Sequence, residues 1–227
     1  MLIGGFQKFS LIDYTNKTCA IIFTIGCNLR CPFCYNRTLV VEKDYPTVIP
    51  FGEVKSFLEK RVGLLDAVEF TGGEPLVQND LLSCIKEIKS MGYSVKLDTN
   101  GTMPDKLLEI IPFVDYIAMD IKAPLSKYPI ATNTIIDTAR IKESIEMIKQ
   151  DAKDYEFRTT FIKNFINTES DIYEIGELIK GSPRYFIQKP RLSSVLNPEF
   201  QFQLHSDEDL KYYKQLMEKF VAKVEIR

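Results

Sequence analysis

Six short β-rich runs alternate along this chain with segments of helical spacing, and that alternation limits the fold more than any other feature. The runs are Cys19 to Thr24, Ala67 to Thr71, Ser94 to Thr99, Tyr116 to Ile121, Glu156 to Phe161 and Tyr185 to Gln188. Each ends in polar or glycine residues, as strands do. Between and after them, apolar residues recur three and four positions apart, which places them on one face of a helix. The sets are Val54, Phe57 and Leu58; Leu81, Leu82, Ile85 and Ile88; Leu107, Leu108 and Ile111; Ile141, Ile145 and Ile148; Ile172, Ile175, Leu178 and Ile179; and Leu210, Tyr213, Leu216, Met217 and Phe220. Repeated strand-helix-strand units imply right-handed crossovers and a parallel sheet. Such a sheet is either open and doubly wound or curled into a barrel. A full eight-unit barrel takes about 250 residues, and 227 residues with several long loops fall one or two units short. The expectation is a partial (β/α)6 TIM-like barrel. No composition shift or linker divides the chain, and the proline-containing stretches at 45–50 and 190–198 are loop-sized, so residues 1–227 are read as a single domain.

Composition excludes several classes. Basic residues number 29 against 31 acidic ones, a net charge of −2, which does not suit a polybasic nucleic-acid binder. The longest apolar run, Cys19 to Ile25, is far shorter than the about 20 residues of a membrane-spanning helix. The first residues carry no basic stretch followed by a long apolar one, so no secretory signal is read and a cytoplasmic location is expected. Five cysteines are an odd number, and three of them fall between positions 27 and 34. That crowding suits a metal site in a reducing compartment better than a disulfide framework.

Polarity collects at the carboxyl ends of the expected strands: Thr71-Gly72-Gly73-Glu74, Asp98-Thr99-Asn100, Asp120-Ile121-Lys122, Arg158-Thr159-Thr160 and Gln188-Lys189. In parallel β/α architectures these ends form the ligand face. The plainer alternative is that charged residues cap strands where they meet water. After the first strand comes a C-x3-C-x2-C array, Cys27, Cys31 and Cys34. Three thiolates on one short loop can hold three irons of a 4Fe-4S cubane and leave the fourth open; an open position separates a reactive centre from a closed structural one. A structural zinc is the alternative, but it needs a fourth ligand. The one histidine, His205, is far along the chain, while Cys19 and Cys84 sit in an expected strand and helix as small hydrophobes.

The cysteine array, with Phe33 before its third cysteine, resembles the signature of the radical S-adenosylmethionine (SAM) superfamily, and Thr71-Gly72-Gly73-Glu74-Pro75 resembles that superfamily's GGE motif after the second strand. The resemblance implies a 4Fe-4S cluster on Cys27, Cys31 and Cys34, with the amine and carboxylate of SAM on the open iron. One electron then cleaves the sulfonium to methionine and a 5'-deoxyadenosyl radical, which abstracts hydrogen. No catalytic residue beyond the cluster and SAM is needed, because the cofactor supplies the hard step. The resemblance assigns Phe33 and Tyr35 to the adenine neighbourhood and Gly72, Gly73 and Glu74 to the amino end of SAM. Two glycines let a backbone approach a ligand closely, and a carboxylate can accept from its ammonium group; an ordinary turn is the plainer reading of the glycines. Asp120 and Lys122 match the D-x-K of glycyl-radical activases, implying a place near the ribose and carboxylate, with a simple salt bridge as the plainer reading. Asp98 and Thr99, together with Asp120, resemble the residues that hold a monovalent cation in pyruvate formate-lyase activase.

The segment Gly5 to Tyr14 resembles the start of anaerobic ribonucleoside-triphosphate reductase activating proteins, as do Lys96 to Gly101 and Ala118 to Pro124. The resemblance therefore implies an activase that takes a hydrogen from a glycine Cα of a partner glycyl-radical enzyme, fed by a flavodoxin- or ferredoxin-type reductant. Thr15-Asn16 replaces the usual glycine-containing turn, and Tyr35 replaces the usual histidine after the third cysteine. Neither is a cluster ligand; they bear on the partner and on adenine packing. A second cysteine cluster is absent, which excludes activases with auxiliary ferredoxin-like clusters. Two other readings compete: a radical SAM enzyme acting on a small molecule, resembling 7-carboxy-7-deazaguanine synthase, and a non-catalytic iron-sulfur or zinc binding module.

Overall fold

In the computed structural model, which describes residues 1–192 and 195–227, eight strands form one sheet in unbroken chain order. The strands are β1 (Ile3–Ser10), β2 (Cys19–Thr24), β3 (Ala67–Gly72), β4 (Ser94–Thr99), β5 (Tyr116–Asp120), β6 (Tyr155–Thr160), β7 (Arg184–Gln188) and β8 (Lys223–Ile226). The helices are α1 (Arg37–Val40), α2 (Phe51–Glu59), α3 (Leu81–Ser90), α4 (Pro104–Ile110), α5 (Tyr128–Thr132), α6 (Thr138–Asp151), α7 (Glu169–Leu178) and α8 (Asp207–Met217). From β2 to β8 every neighbouring pair is parallel, while β1 runs antiparallel to β2.

This order settles the choice between the two sheet types. A doubly wound sheet reverses direction at a switch point. Here the crossovers keep one direction from β2 to β8, so right-handed connections deliver their helices to one face and twist curls the sheet around the other. The strands β2 to β7, each followed by helix, supply the six units of a partial TIM-like barrel, with β1 and β8 as edges. Alternate strand residues confirm which face meets the helices. Val68, Phe70, Val95, Leu97, Ile117, Met119, Phe157 and Ile187 belong to one apolar core with Val54, Leu58, Ile85, Ile88, Ile145 and Ile175 from the helices.

The concave face is divided along the strand direction. Tyr14, Cys19, Ile21, Ala67, Tyr116 and Ala118 form a small apolar floor. Above it lie the charged residues Glu69, Lys96, Asp98 and Arg158, an interior unlike the branched aliphatic layers of a closed barrel.

Two strands go beyond the six expected. Gly4, Gly5 and Lys8 blur the alternation of β1, and β8 is only four residues long. Shared boundaries differ by one residue, as at β6, which starts at Tyr155 rather than Glu156. Of the stretch at 190–198, residues 193–194 lie outside those described. Among the described residues, no helix is long and apolar enough to cross a membrane.

Candidate functional site

The cysteine loop leaves β2 and is tied to its surroundings on every side. Gly26 N–H donates to Leu39 at 2.7 Å, and its carbonyl accepts from Glu74 N–H at 2.8 Å. Arg30 N–H donates to the Thr132 carbonyl at the end of α5, at 3.0 Å, and Arg30 Nη1 donates to the carbonyls of Cys27 and Leu29. Asn36 Nδ2 donates to the Gly72 carbonyl at 2.9 Å. On the far side, Leu196 N–H donates to Cys34 and Asn197 N–H to Pro32. Phe33 is buried in an aromatic group with Phe165 and Phe200, at 5.7 and 6.4 Å between centroids. Its ring therefore anchors the loop to the distal segments. Tyr35 is half-exposed, with the Arg191 guanidinium 4.7 Å from its ring centre.

Cys31 is buried and Cys27 and Cys34 are partly so. Burial pushes the thiols of Cys27 and Cys31 up to about 11 and about 12, and raises that of Cys34. Lys122, rising from the end of β5, acts on all three in the opposite direction. Leu29 N–H donates to Cys27 Sγ at 3.4 Å. Among the described residues, no three His, Cys, Asp or Glu side chains converge as they would around a single metal ion. Cubane ligands do not converge in that way, since each thiolate takes its own corner of the cluster. The donor set, three thiols of one loop at the carboxyl end of the strands beside a lysine, fits such a cluster. Cys19 is fully buried in the floor of the sheet and Cys84 is buried on α3.

The glycine motif follows β3 and meets the cysteine loop backbone to backbone. Gly72 has φ +114, and a Cβ there would lie 2.4 Å from Thr24 N; at Gly73 a Cβ would lie 1.9 Å from the Gly26 carbonyl oxygen. The chain itself demands both glycines, whatever ligand lies beyond them. Glu74 is buried, and its carboxylate is engaged within the protein: Oε1 accepts from Leu76 N–H at 3.1 Å and Thr99 Oγ1 at 2.9 Å, and Oε2 accepts from Asn100 N–H at 2.6 Å. Burial pushes its carboxyl up to about 7, although these three donors pull the other way. Glu74 thus ties the motif to the end of β4.

The charged residues of β3 to β6 form one network. Arg158 bridges two carboxylates, with Nη2 2.8 Å from Asp98 Oδ2 and Nε on Asp120 Oδ1. Lys122 Nζ lies 2.8 Å from Asp120 Oδ2, so the plain salt bridge and a place at the strand ends coexist. Thr71 Oγ1 donates to Asp98 Oδ2 at 3.0 Å. Deeper, Lys96 Nζ lies 3.1 Å from Glu69 Oε1 and 3.3 Å from Asp98 Oδ1. Burial would raise the carboxyls of Asp98 and Asp120, but Arg158 and the neighbouring lysines hold both below the usual range. Glu69 moves the other way, raised by burial and by Asp98 beside it. Two buried oxygens of this network, Glu69 Oε2 and Asp98 Oδ1, have no hydrogen-bond partner. Burial would lower Lys122, yet Asp120 raises it above its ordinary value.

The structure therefore brings Cys27, Cys31, Cys34, Gly72, Gly73, Glu74, Asp98, Thr99, Asp120 and Lys122 to one end of the sheet, with Tyr35 at its margin and Phe33 turned into the aromatic group behind the loop. Sequence reasoning missed three sets. Glu69, Lys96 and Glu156 lie lower on the strands; a charge two positions before Thr71, Asp98 and Arg158, on the same strand face, is the signal that marks them. Arg158, like Asn100 of the group that follows, was legible only as a polar strand end. Asn28, Asn100 and Thr102 form a hydrogen-bonded group whose Asn100 Nδ2 approaches Cys27 Sγ at 3.9 Å, and no local spacing announces it.

Comparison with known proteins gives the family and the fold. Residues 21–179 match the radical SAM superfamily. A provisionally named glycyl-radical enzyme activating enzyme of Methanocaldococcus jannaschii is 32% identical, over 100% of this chain and 95% of its own. A 7-carboxy-7-deazaguanine synthase of Thermoplasma acidophilum is 30% identical over 67% of this chain and 70% of its own. Among solved structures, a domain of pyruvate-formate lyase-activating enzyme from Bacteroides vulgatus shares the fold with TM-score 0.58 and 17% identity, covering 71% of this chain and 99% of that one. Streptococcus suis SuiB bound to S-adenosylmethionine does so with TM-score 0.71 and 13% identity, over 91% of this chain and 49% of that one. With a family match over more than half its length and a full-length relative above 30% identity, the chain belongs to the radical SAM superfamily and is one of its enzymes.

Proposed function

We propose that this enzyme activates a glycyl-radical enzyme by taking a hydrogen from a glycine Cα of that partner, most closely in the manner of an anaerobic ribonucleoside-triphosphate reductase activase. The observation that carries the reading is the match, over the whole chain, to the activating enzyme of Methanocaldococcus jannaschii. The cofactors of the family are a 4Fe-4S cluster and SAM, which together supply a 5'-deoxyadenosyl radical when bound. The protein's part is to hold, orient and shield. Cys27, Cys31 and Cys34 carry the cluster. The backbone of Gly72 and Gly73, fixed by Glu74, receives the amino end of SAM. Asp120 and Lys122 would face its ribose and carboxylate and Tyr35 would border the adenine side, whereas Phe33, packed against Phe165 and Phe200, anchors the cysteine loop from behind and is not placed at the adenine. A flavodoxin- or ferredoxin-type protein supplies the electron, and one domain of residues 1–227 does the work in the cytoplasm. The reductase as partner is supported by the Gly5 to Tyr14 resemblance. That segment forms the edge strand β1 and the turn after it, where Phe9, Leu11 and Ile12 are exposed.

The test is anaerobic incubation of the reconstituted protein with SAM, reductant and a glycyl-radical enzyme from the same cell. The expected result is 5'-deoxyadenosine together with a persistent paramagnetic doublet on the partner, split by the one remaining α-hydrogen. The relative from Thermoplasma acidophilum favours a second reading, chemistry on a small heterocyclic substrate. That reading wins if a small metabolite accelerates 5'-deoxyadenosine formation and no partner acquires the doublet.

A further inference from the structure

Two carboxylates on adjacent strands face one another across the concave side of the sheet. Asp98 pairs in register with Ala118 on β5, and Asp120 pairs with Arg158 on β6. Two anions this close need a positive charge between them. The resemblance to pyruvate formate-lyase activase gives that place to a monovalent cation held by Asp98, Thr99 and Asp120. The residues present do not fit such an ion. Three of the four carboxylate oxygens accept hydrogen bonds from cationic nitrogens, Asp98 Oδ2 and Asp120 Oδ1 from Arg158 and Asp120 Oδ2 from Lys122, and the fourth, Asp98 Oδ1, lies 3.3 Å from Lys96 Nζ although it has no hydrogen-bond partner. Thr99 Oγ1 is also engaged elsewhere, donating to Glu74 and accepting from Gly101 N–H at 3.1 Å.

We propose that the Arg158 guanidinium is a covalently attached replacement for the monovalent cation, so that this site works without sodium or potassium. The side chain is suited to the role. Its planar fork spans both carboxylates at once, it stays charged at any physiological pH, and it is only 13% exposed. Arg158 is thus a positioning residue that keeps Asp98 and Asp120 in the geometry needed beside SAM. The inference rests on the superfamily membership and is independent of which partner the enzyme activates.

Two measurements on the anaerobic, cluster-loaded protein test it. The first is sodium-23 NMR relaxation with potassium as competitor, which needs no SAM. Wild type should show no potassium-displaceable sodium, whereas Arg158→Ala should show it, because two facing carboxylates are then left without their counter-charge. The second is SAM affinity in sodium, potassium and choline chloride at equal ionic strength. Wild type and Arg158→Lys should vary by no more than about twofold. Arg158→Ala should weaken by about tenfold or more in choline, the scale of one lost charge-assisted contact, and recover in sodium or potassium. Potassium-displaceable sodium in wild type overturns the proposal, as does a tenfold gain in its SAM affinity on adding potassium. So does an Arg158→Ala protein that folds and remains indifferent to the cation. If Arg158→Ala does not fold, wild type and Arg158→Lys still decide. Failure of wild type to bind SAM in every buffer would count against the functional reading above, while the sodium measurement would still judge Arg158.

Discussion

At the scale of single residues, Glu74 shows how a motif position can act through the chain rather than through a ligand. Its three internal donors and its burial compete over its proton. An ordinary glutamate titrates near 4.5, and this one is pushed up to about 7. The folded state thus binds more protons than the unfolded chain between these values, so stability falls as pH rises through them. The contribution is fully present below about pH 4.5 and lost by about pH 7, and it amounts to at most about 3 kcal/mol. Urea denaturation of the anaerobic, cluster-free protein should show wild type losing stability relative to Glu74→Gln across that window. A pH-independent difference would mean that the three donors keep Glu74 ionised throughout. The cysteines allow a cleaner separation. Reconstitution should give about four iron and four sulfide per chain. Cys27→Ala, Cys31→Ala and Cys34→Ala should each abolish the cluster, and Cys19→Ala and Cys84→Ala should keep it, as iron and sulfide analysis would report. Stoichiometric zinc without iron-linked absorbance would remove the cluster from the account.

Among the elements, the junction of β2 and β3 carries the sharpest steric demand. The loop after β3 runs so close to the loop after β2 that a Cβ on Gly73 would occupy the Gly26 carbonyl oxygen. Gly73→Ala must therefore break the bond from Glu74 N–H to Gly26 and push the cysteine loop away from the glycine motif. The cost should be about 1–3 kcal/mol, as for other overpacked sites. SAM affinity, measured by calorimetry on the loaded protein, should fall in parallel with melting temperature. Retained stability with lost SAM binding would assign the glycine to the ligand alone. At Gly72 the positive φ adds backbone strain to the same clash.

Over the whole molecule, the sheet ends in a strand that a local reading does not see. The short β8 pairs with β7, and Arg227 reaches back to Glu156 and lies 3.3 Å from the centre of the Phe186 ring. Phe220, just before it, packs against Gly176 of α7, where a Cβ would find a ring carbon at 2.4 Å. Removing residues 218–227 should uncover the edge of β7 and the apolar face beneath Phe220, Val221 and Val224. Loss of those side chains is worth more than about 3 kcal/mol, and an uncovered hydrophobic edge invites association. Denaturation midpoints and light scattering of the truncated protein should show both effects; a monomer with unchanged midpoint would make β8 dispensable.

Local pattern determined a large part of this protein. Period-two and period-three-to-four apolar spacing located β2 to β7 and the main helices, because each buries one side against the same core. The cysteine and glycine motifs were legible because each lies within one loop, where sequence distance and spatial distance agree. The antiparallel β1 and the four-residue β8 were not, since strands that short or that glycine-rich are defined by the neighbour they pair with. Nor could sequence show that Arg158 joins Asp98 to Asp120, or that Glu74 turns inward onto β4. Those contacts join residues 60, 38 and 26 positions apart. Only the curling of parallel strands in a common register, with alternate side chains sharing one concave face, brings such charges within a hydrogen bond of one another.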